Sequence, residues 1–433
     1  LYFQPVQAAE PVFPLRIAAR STFLEDQAGV SFLIRGDSPW SLMTAITDEE
    51  VAVYLDDRKK KGFNSVLVNL IEHYFNGPAN RDGETPFTTE GDFLAPNEAY
   101  FAHVDGVIRA AEQRGINVFL APAYLGYECG EQGWCAEVAR AGPARMYRYG
   151  VWLGTRYRWF PNIVWVAGGD ADARRKFGTR YSQDALMRGI RAVDSEHLMT
   201  AHCDRRHSAI DCYRQRWLDL NTTYSECEHV AADLARDYKR GGAQPFFFIE
   251  GSYEGDRSAE WCGRLQAYGA VLSGAAGYFY GNDPVWRFDS GWRQALDAPG
   301  ASSLAHLAAL FESRAWTEFE PDLAQRVVAT VGEIGAIGGR AMAAVSAAGD
   351  SVIVYVPPRV SVEIDTTKLV GSSFRAWWID ASSGEVEPAR VLDSGPAVAA
   401  MPPREADWVL VVDSESADYS PPRTARVLGA ARE

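Results

Sequence analysis

A short apolar run followed by a helical stretch recurs along the first 300 residues, and few architectures accommodate that rhythm. The runs are Phe32–Asp37, Phe63–Ile71, Ile116–Ala123, Ile163–Ala167, His197–His202, Leu218–Tyr224, Pro245–Glu250 and Gly277–Gly281. The fourth, Ile-Val-Trp-Val-Ala, is too apolar for a half-exposed strand and too short for a helix, which is the signature of a parallel strand buried on both faces. Helical patterns lie between the runs. One opens at Thr47, with Glu50 completing a capping box, and stops at Gly62; another opens at Asn97 and stops at Gly115. Further helices are expected near 144–157, 181–193, 231–239 and 260–272. Eight such strand–helix units predict an α/β fold, a TIM (β/α)8 barrel. A doubly wound open sheet is the competing arrangement, but no strand-to-helix turn carries the phosphate-cradling Gly-x-Gly-x-x-Gly.

From about Ala341 the character changes. Ser351–Val356, Ser361–Ile364, Phe374–Ile379 and Trp408–Val412 are β-type runs separated by Pro, Gly and Ser turns, and they predict a small antiparallel β-sandwich. The Gly-rich stretch 332–339 reads as the loop before it. The expected organisation is a flexible start over 1–10, a barrel over 11–334, a β domain over 335–415 and a polar tail over 416–433. Leu1-Tyr2-Phe3-Gln4 reads as the remnant of a cleavable tag and stands outside the fold.

With 47% hydrophobic and 23% charged residues the chain is built to fold. A net charge of -14 argues against a nucleic-acid backbone or an anionic membrane as the main partner. No apolar run approaches the roughly 20 residues of a membrane helix. The six cysteines allow Cys129–Cys135 and Cys203–Cys212 as bonds, or six buried thiols; disulfides would fit a periplasmic or secreted protein.

In a TIM barrel the carboxyl ends of the strands form one rim. That rim gathers Asp37, Asn69, Tyr124, Asp170, His202, Asp204, Tyr224, Glu250 and Tyr280. Trp40, Tyr124 and Trp286 offer flat faces for sugar rings, although aromatics also fill cores. Taken alone, Asp170 is more often a helix cap or an ion-pair partner. Two carboxylates across a cleft, Asp170 and Glu250, are what glycoside hydrolysis requires. A cation held by His202, Asp204, His207 and Asp170 is the competing reading, but no His-x-His or His-Glu-x-x-His spacing supports it. The reading requires neither metal nor cofactor. His202 is expected to contact sugar or to be a satisfied core histidine.

The motifs resemble those of the apiosidase-like glycoside hydrolases, glycoside hydrolase family 140 and its relatives. Gly36-Asp37-Ser38-Pro39-Trp40, Lys61-Gly62-Phe63-Asn64, Ala99-Tyr100-Phe101-Ala102-His103, Pro161-Asn162-Ile163-Val164-Trp165 and Gly168-Gly169-Asp170 carry the resemblance. Gly274–Tyr278 and Glu312–Trp316 continue it, and Tyr355–Pro358 and Arg375–Trp378 resemble the β domain that usually follows, whose family label ascribes collagen binding to it. The resemblance implies a retaining glycosidase with Asp170 as acid/base and Glu250 as nucleophile, their carboxyl groups about 5 to 5.5 Å apart. Glu254 is the alternative nucleophile. Asp37, Asn69, His202, Asp204, Tyr224 and Tyr280 would hold hydroxyls of an apiose or arabinofuranose unit in a plant or bacterial polysaccharide. A non-catalytic carbohydrate- or matrix-binding protein is the alternative function.

Overall fold

The computed structural model describes residues 10–19, 21–174, 178–242, 244–256, 258, 260–331, 340–388 and 390–425. The tag-like start, the Gly-rich stretch 332–339, the expected 334/335 boundary and the end of the tail lie outside the described residues.

Eight parallel strands form the barrel: β1 (Ile34–Asp37), β2 (Ser65–Asn69), β3 (Asn117–Ala121), β4 (Ile163–Gly168), β5 (Met199–His202), β6 (Asn221–Tyr224), β7 (Phe246–Glu250) and β8 (Gly277–Tyr280). Their hydrogen-bonded order is β5-β4-β3-β2-β1-β8-β7-β6. Side chains close the last seam. Thr200 Oγ1 donates to the Leu220 carbonyl and Thr222 Oγ1 to that of Ala201, each at 2.9 Å. The helices that cover the barrel include α1 (Asp48–Lys60), α2 (Glu98–Glu112), α3 (Cys135–Tyr157), α4 (Thr179–Arg191), α5 (Val230–Gly241), α6 (Glu260–Leu272) and α7 (Pro299–Glu312). Thr47 forms the capping box with Glu50, and Asn97 caps α2. Helix α3 starts nine residues earlier than its pattern suggests, because Gly142 with φ 71° and Pro143 interrupt it.

Phe119 meets Phe247 and Phe279 edge to face at the barrel's centre, and the three centroids lie 4.9 to 5.8 Å apart. Gly36 on β1 leaves room for them, since a Cβ there would lie 2.2 Å from the Phe279 ring. Below, Leu24 and Phe32 from a sheet of three short N-terminal strands, with Leu15 just before the first of them, pack into the same apolar cluster. That plug leaves the opposite rim as the open end of the barrel.

The β domain is two antiparallel sheets. One has six strands: β9 (Phe319–Pro321), β11 (Met342–Ser346), β12 (Ser351–Val356), β17 (Trp408–Ser414), β14 (Ser373–Asp380) and β15 (Arg390–Asp393). The other has three: β10 (Val328–Val331), β13 (Ser361–Ile364) and β16 (Val398–Ala400). It therefore begins before residue 335, the expected start. Strands β9 and β10 are three and four residues long, too short to show a period of two in the sequence. Alternation divides the six-stranded sheet cleanly. Ile353, Tyr355, Trp377, Ile379, Val409 and Val411 join the core shared with α6 and α7. Val352, Val354, Trp378, Trp408, Leu410 and Val412 face the sandwich core. The tail folds back as far as Tyr419 and Ser420, whose hydroxyl and carbonyl bond Asp350 and Arg314.

Candidate active site

The rim opens into a cleft of about 460 Å³. Asp170 and Glu250 both line it, with Trp40, Phe75, Tyr124, Tyr127, Tyr224, Tyr253 and Trp286 as aromatic walls. Arg205, Glu226, Gly251, Ser252, Asp256, Asp283 and Arg287 complete the lining. Asp170 and Glu250 are the two of these carboxylates that stand at strand ends and share hydrogen-bond or charge partners within the aromatic groove.

The two acids reach the cleft by different local devices. Strand β4 ends in Gly168 and Gly169, where added Cβ atoms would strike the His202 carbonyl at 2.3 Å and the Leu125 nitrogen at 2.6 Å. Neighbouring loops can press against the strand end only because these are glycines, and Asp170 emerges from that junction. Glu250 needs a bulge. Phe247 and Ile249 both belong to the barrel interior, so simple alternation would turn Glu250 away from it. The β6–β7 register shifts between Phe248 and Glu250, pairing Glu250 with the inward-facing Tyr224. One extra residue re-aims the carboxylate into the cleft.

Their surroundings are opposite in character. Glu250 accepts from His202 Nε2 at 2.6 Å on one oxygen and from the Tyr253 hydroxyl at 2.7 Å on the other. The Tyr253 hydroxyl is itself held by Trp40 Nε1 at 2.8 Å. Nδ1 of His202 donates to the Cys203 carbonyl at 2.9 Å, so Nε2 can donate to Glu250 only as part of an imidazolium. Burial pulls the His202 pKa down, but the hydrogen bond and charge of Glu250, with the charge of Asp170 and the Cys203 carbonyl, leave it above the ordinary value.

Asp170 has the reverse setting. Only 7% of its surface is exposed, one oxygen is buried without a hydrogen-bond partner, and the other accepts a 3.3 Å bond from the Tyr224 hydroxyl. Burial first and the Glu250 charge second push its pKa up to about 7, against the opposing charges of His202 and Arg205. The site therefore holds one carboxyl biased towards its acid form beside one whose two oxygens are both held by hydrogen bonds.

Six of the residues expected at the rim line the cleft: Trp40, Tyr124, Asp170, Tyr224, Glu250 and Trp286. The other five do not. Asp37 is buried beneath it, accepting from Arg58 Nε at 2.6 Å and the Tyr54 hydroxyl at 2.7 Å. A buried carboxylate requires a partner, and α1 supplies Arg58, itself fully buried. Asn69 is turned to the buried Glu72. Tyr280 donates to Glu254, whose other oxygen accepts from the Gly300 amide at 3.0 Å; this ties the alternative nucleophile to the start of α7. His202 stands behind Glu250 rather than in the groove, with 1% of its surface exposed. Asp204 accepts from the Arg205 amide, and His207 is bonded to the Arg205 carbonyl. Among the described residues no three His, Cys, Asp or Glu side chains converge as a metal site would require.

Phe75, Tyr127, Arg205, Glu226, Tyr253 and Arg287 are cleft residues outside the expected set. All lie within a few residues of a strand end, so a search one loop deeper past each strand would have found them. All six cysteines pair, as Cys129–Cys135, Cys203–Cys212 and Cys227–Cys262.

Residues 18–318 match the model of the apiosidase-like catalytic domain. Residues 330–413 match the model described as "Putative collagen-binding domain of a collagenase". A search of curated protein sequences finds no match. Among solved structures, a protein titled "Glycoside hydrolase" is similar over 94% of this chain and 98% of its own, at 23% identity and a TM-score of 0.81. A glycoside hydrolase family 5 protein from Bacteroides vulgatus is similar over 95% and 97%, at 24% identity and a TM-score of 0.82. These likenesses extend across the barrel and the β domain, and the catalytic-domain model alone covers more than half of the sequence. The chain belongs to the apiosidase-like family and is a glycoside hydrolase.

Proposed function

We propose that the protein is a retaining glycosidase that removes a furanose unit, apiose or arabinofuranose, from a plant or bacterial polysaccharide. Glu250 attacks the anomeric carbon as Asp170 passes its proton to the departing oxygen, so the glycosidic bond breaks and a glycosyl–Glu250 ester forms. Asp170, now an anion, takes a proton from water, and that water displaces Glu250 to release the sugar. Asp170 regains its proton and Glu250 its charge. The observation that carries this reading is the asymmetry between the two carboxyls in one cleft. A nucleophile must be held in place, and His202 and Tyr253 hold the two oxygens of Glu250. A general acid must start protonated, and burial beside Glu250 biases Asp170 that way.

Trp40, Tyr124 and Trp286 supply sugar faces, and Tyr224 lies against the acid. The furanose preference rests on the apiosidase-like catalytic-domain match. Three disulfides support an exported protein.

The test is a screen of aryl glycosides and of plant and bacterial polysaccharides with three proteins. Glu250→Gln should lower kcat more than about a thousandfold on every substrate. Asp170→Asn should cost about a hundred- to ten-thousandfold with poor leaving groups and much less with activated ones. Near-normal turnover by Glu250→Gln would remove it as nucleophile, and release of a pyranose alone would remove the furanose assignment.

A further inference from the structure

Among the described cleft residues, Arg205 bonds the acid's own hydrogen-bond partner, Tyr224. Its Nε donates to the Tyr224 hydroxyl at 3.1 Å, and that hydroxyl lies 3.3 Å from Asp170 Oδ2. An arginine side chain has donors and no acceptor, so the hydroxyl must accept from Arg205. Its single proton is then available to Asp170 Oδ2, 3.3 Å away. We propose that Arg205 is a positioning residue for the general acid, acting through the Tyr224 hydroxyl to orient Asp170.

The inference rests on Asp170 being the acid and goes beyond it by naming what aims the acid. Arg205 is well placed for the task because its guanidinium is held from three sides. Nη1 donates to Glu226 at 3.1 Å, the carbon lies 5.2 Å from the centre of the Tyr127 ring, and Nε is committed to Tyr224. A fork fixed at three points transmits position in a way that a lysine's single ammonium cannot.

Charge follows the same geometry. The groups that face Asp170 are Glu250 and Asp204, which oppose its ionisation, His202 and Arg205, which favour it, and the hydroxyls of Tyr224 and Tyr124. Glu250 is needed as nucleophile and His202 is bound to it. Of these groups Arg205 is the cation not bonded to Glu250, and its charge favours the loss of the Asp170 proton in the first step.

The experiment follows the Asp170 carboxyl by 13C NMR titration in the wild type, Arg205→Met, Arg205→Lys and Tyr224→Phe, with Asp170→Asn identifying the resonance. Rates are measured in parallel on methyl and 2,4-dinitrophenyl furanosides of apiose and arabinose. In Arg205→Met the Asp170 midpoint should rise by about half a unit or more. Rates on the methyl glycoside, which needs the acid, should fall about tenfold or more, while those on the dinitrophenyl glycoside change little. Arg205→Lys should restore most of the midpoint but not the rate. Arg205→Met combined with Tyr224→Phe should be no worse than the poorer single variant, as members of one chain are. An unmoved midpoint, or equal losses on both leaving groups, would overturn the role of Arg205. Full activity of Asp170→Asn on the methyl glycoside would instead overturn the assignment of the acid. Should Arg205→Met fail to fold, Tyr224→Phe alone decides, since it breaks the same chain and leaves the cation in place.

Discussion

Asp170, the proposed general acid, sits where its charge costs the fold stability. Its ordinary pKa is near 3.8 and its folded one is about 7. Between those values the folded protein keeps a proton that the unfolded chain has released, so stability falls as pH rises from about 4 to about 7 and stays low above that. Asparagine has the shape of the neutral acid and no charge to bury. Asp170→Asn should therefore unfold at higher denaturant concentration at pH 8, by roughly 2 to 4 kcal/mol, and match the wild type near pH 3.5. A variant that is no more stable at pH 8 than at pH 3.5, relative to wild type, would show that the fold does not disfavour the charge. That Asp170 and Glu250 would share one cleft was legible in the sequence, because each follows a continuous apolar run. The role of His202 was not. Its Nε2 partner is 48 positions away, and nothing local separates a sugar contact from a partner of Glu250.

At the level of elements, strand ends were legible to within a few residues, but which way the last side chain points was not. Phe246-Phe247-Phe248-Ile249 is apolar at every position, so no alternation betrays the bulge that turns Glu250 inwards. Asp37 shows the opposite failure. It ends a strand as Asp170 does, yet the helix that follows carries Arg58 back beneath it. The loops beyond the strands are fastened in a pattern that bears on function. Glu128, next to Cys129, donates its amide to the Asp170 carbonyl at 2.8 Å. The Cys203 carbonyl holds His202. Ser225, two residues before Cys227, donates to the Glu250 carbonyl at 3.2 Å. Each disulfide thus secures a loop that touches a member of the site. Reduction under native conditions should lower kcat about tenfold or more while the far-ultraviolet circular dichroism of the barrel persists. Unchanged kcat in the fully reduced protein, verified by thiol titration, would show that packing alone holds those loops.

Over the whole molecule, the β domain is joined to the barrel through a shared core and buried charge pairs. Arg264 of α6 makes a bidentate pair with Asp407 at 2.7 and 2.9 Å, and Tyr355 donates to the same carboxylate. Arg314, just past α7, pairs with Asp413 at 2.7 Å. The stacked rings of Tyr268 and Tyr355 lie between the two units. The six-stranded sheet is apolar on both faces because one meets the sandwich and the other the barrel. The adjacent Trp377 and Trp378 show it, since they point opposite ways and both are buried. The domain so placed leaves the carboxyl rim of the barrel open, and with it the cleft that holds Asp170 and Glu250. The central claim is that these two carboxyls act by double displacement. Proton NMR of the first sugar released, recorded before mutarotation equilibrates the anomers, tests it directly. The account predicts that the first-formed anomer has the configuration of the substrate bond; first formation of the inverted anomer would contradict it.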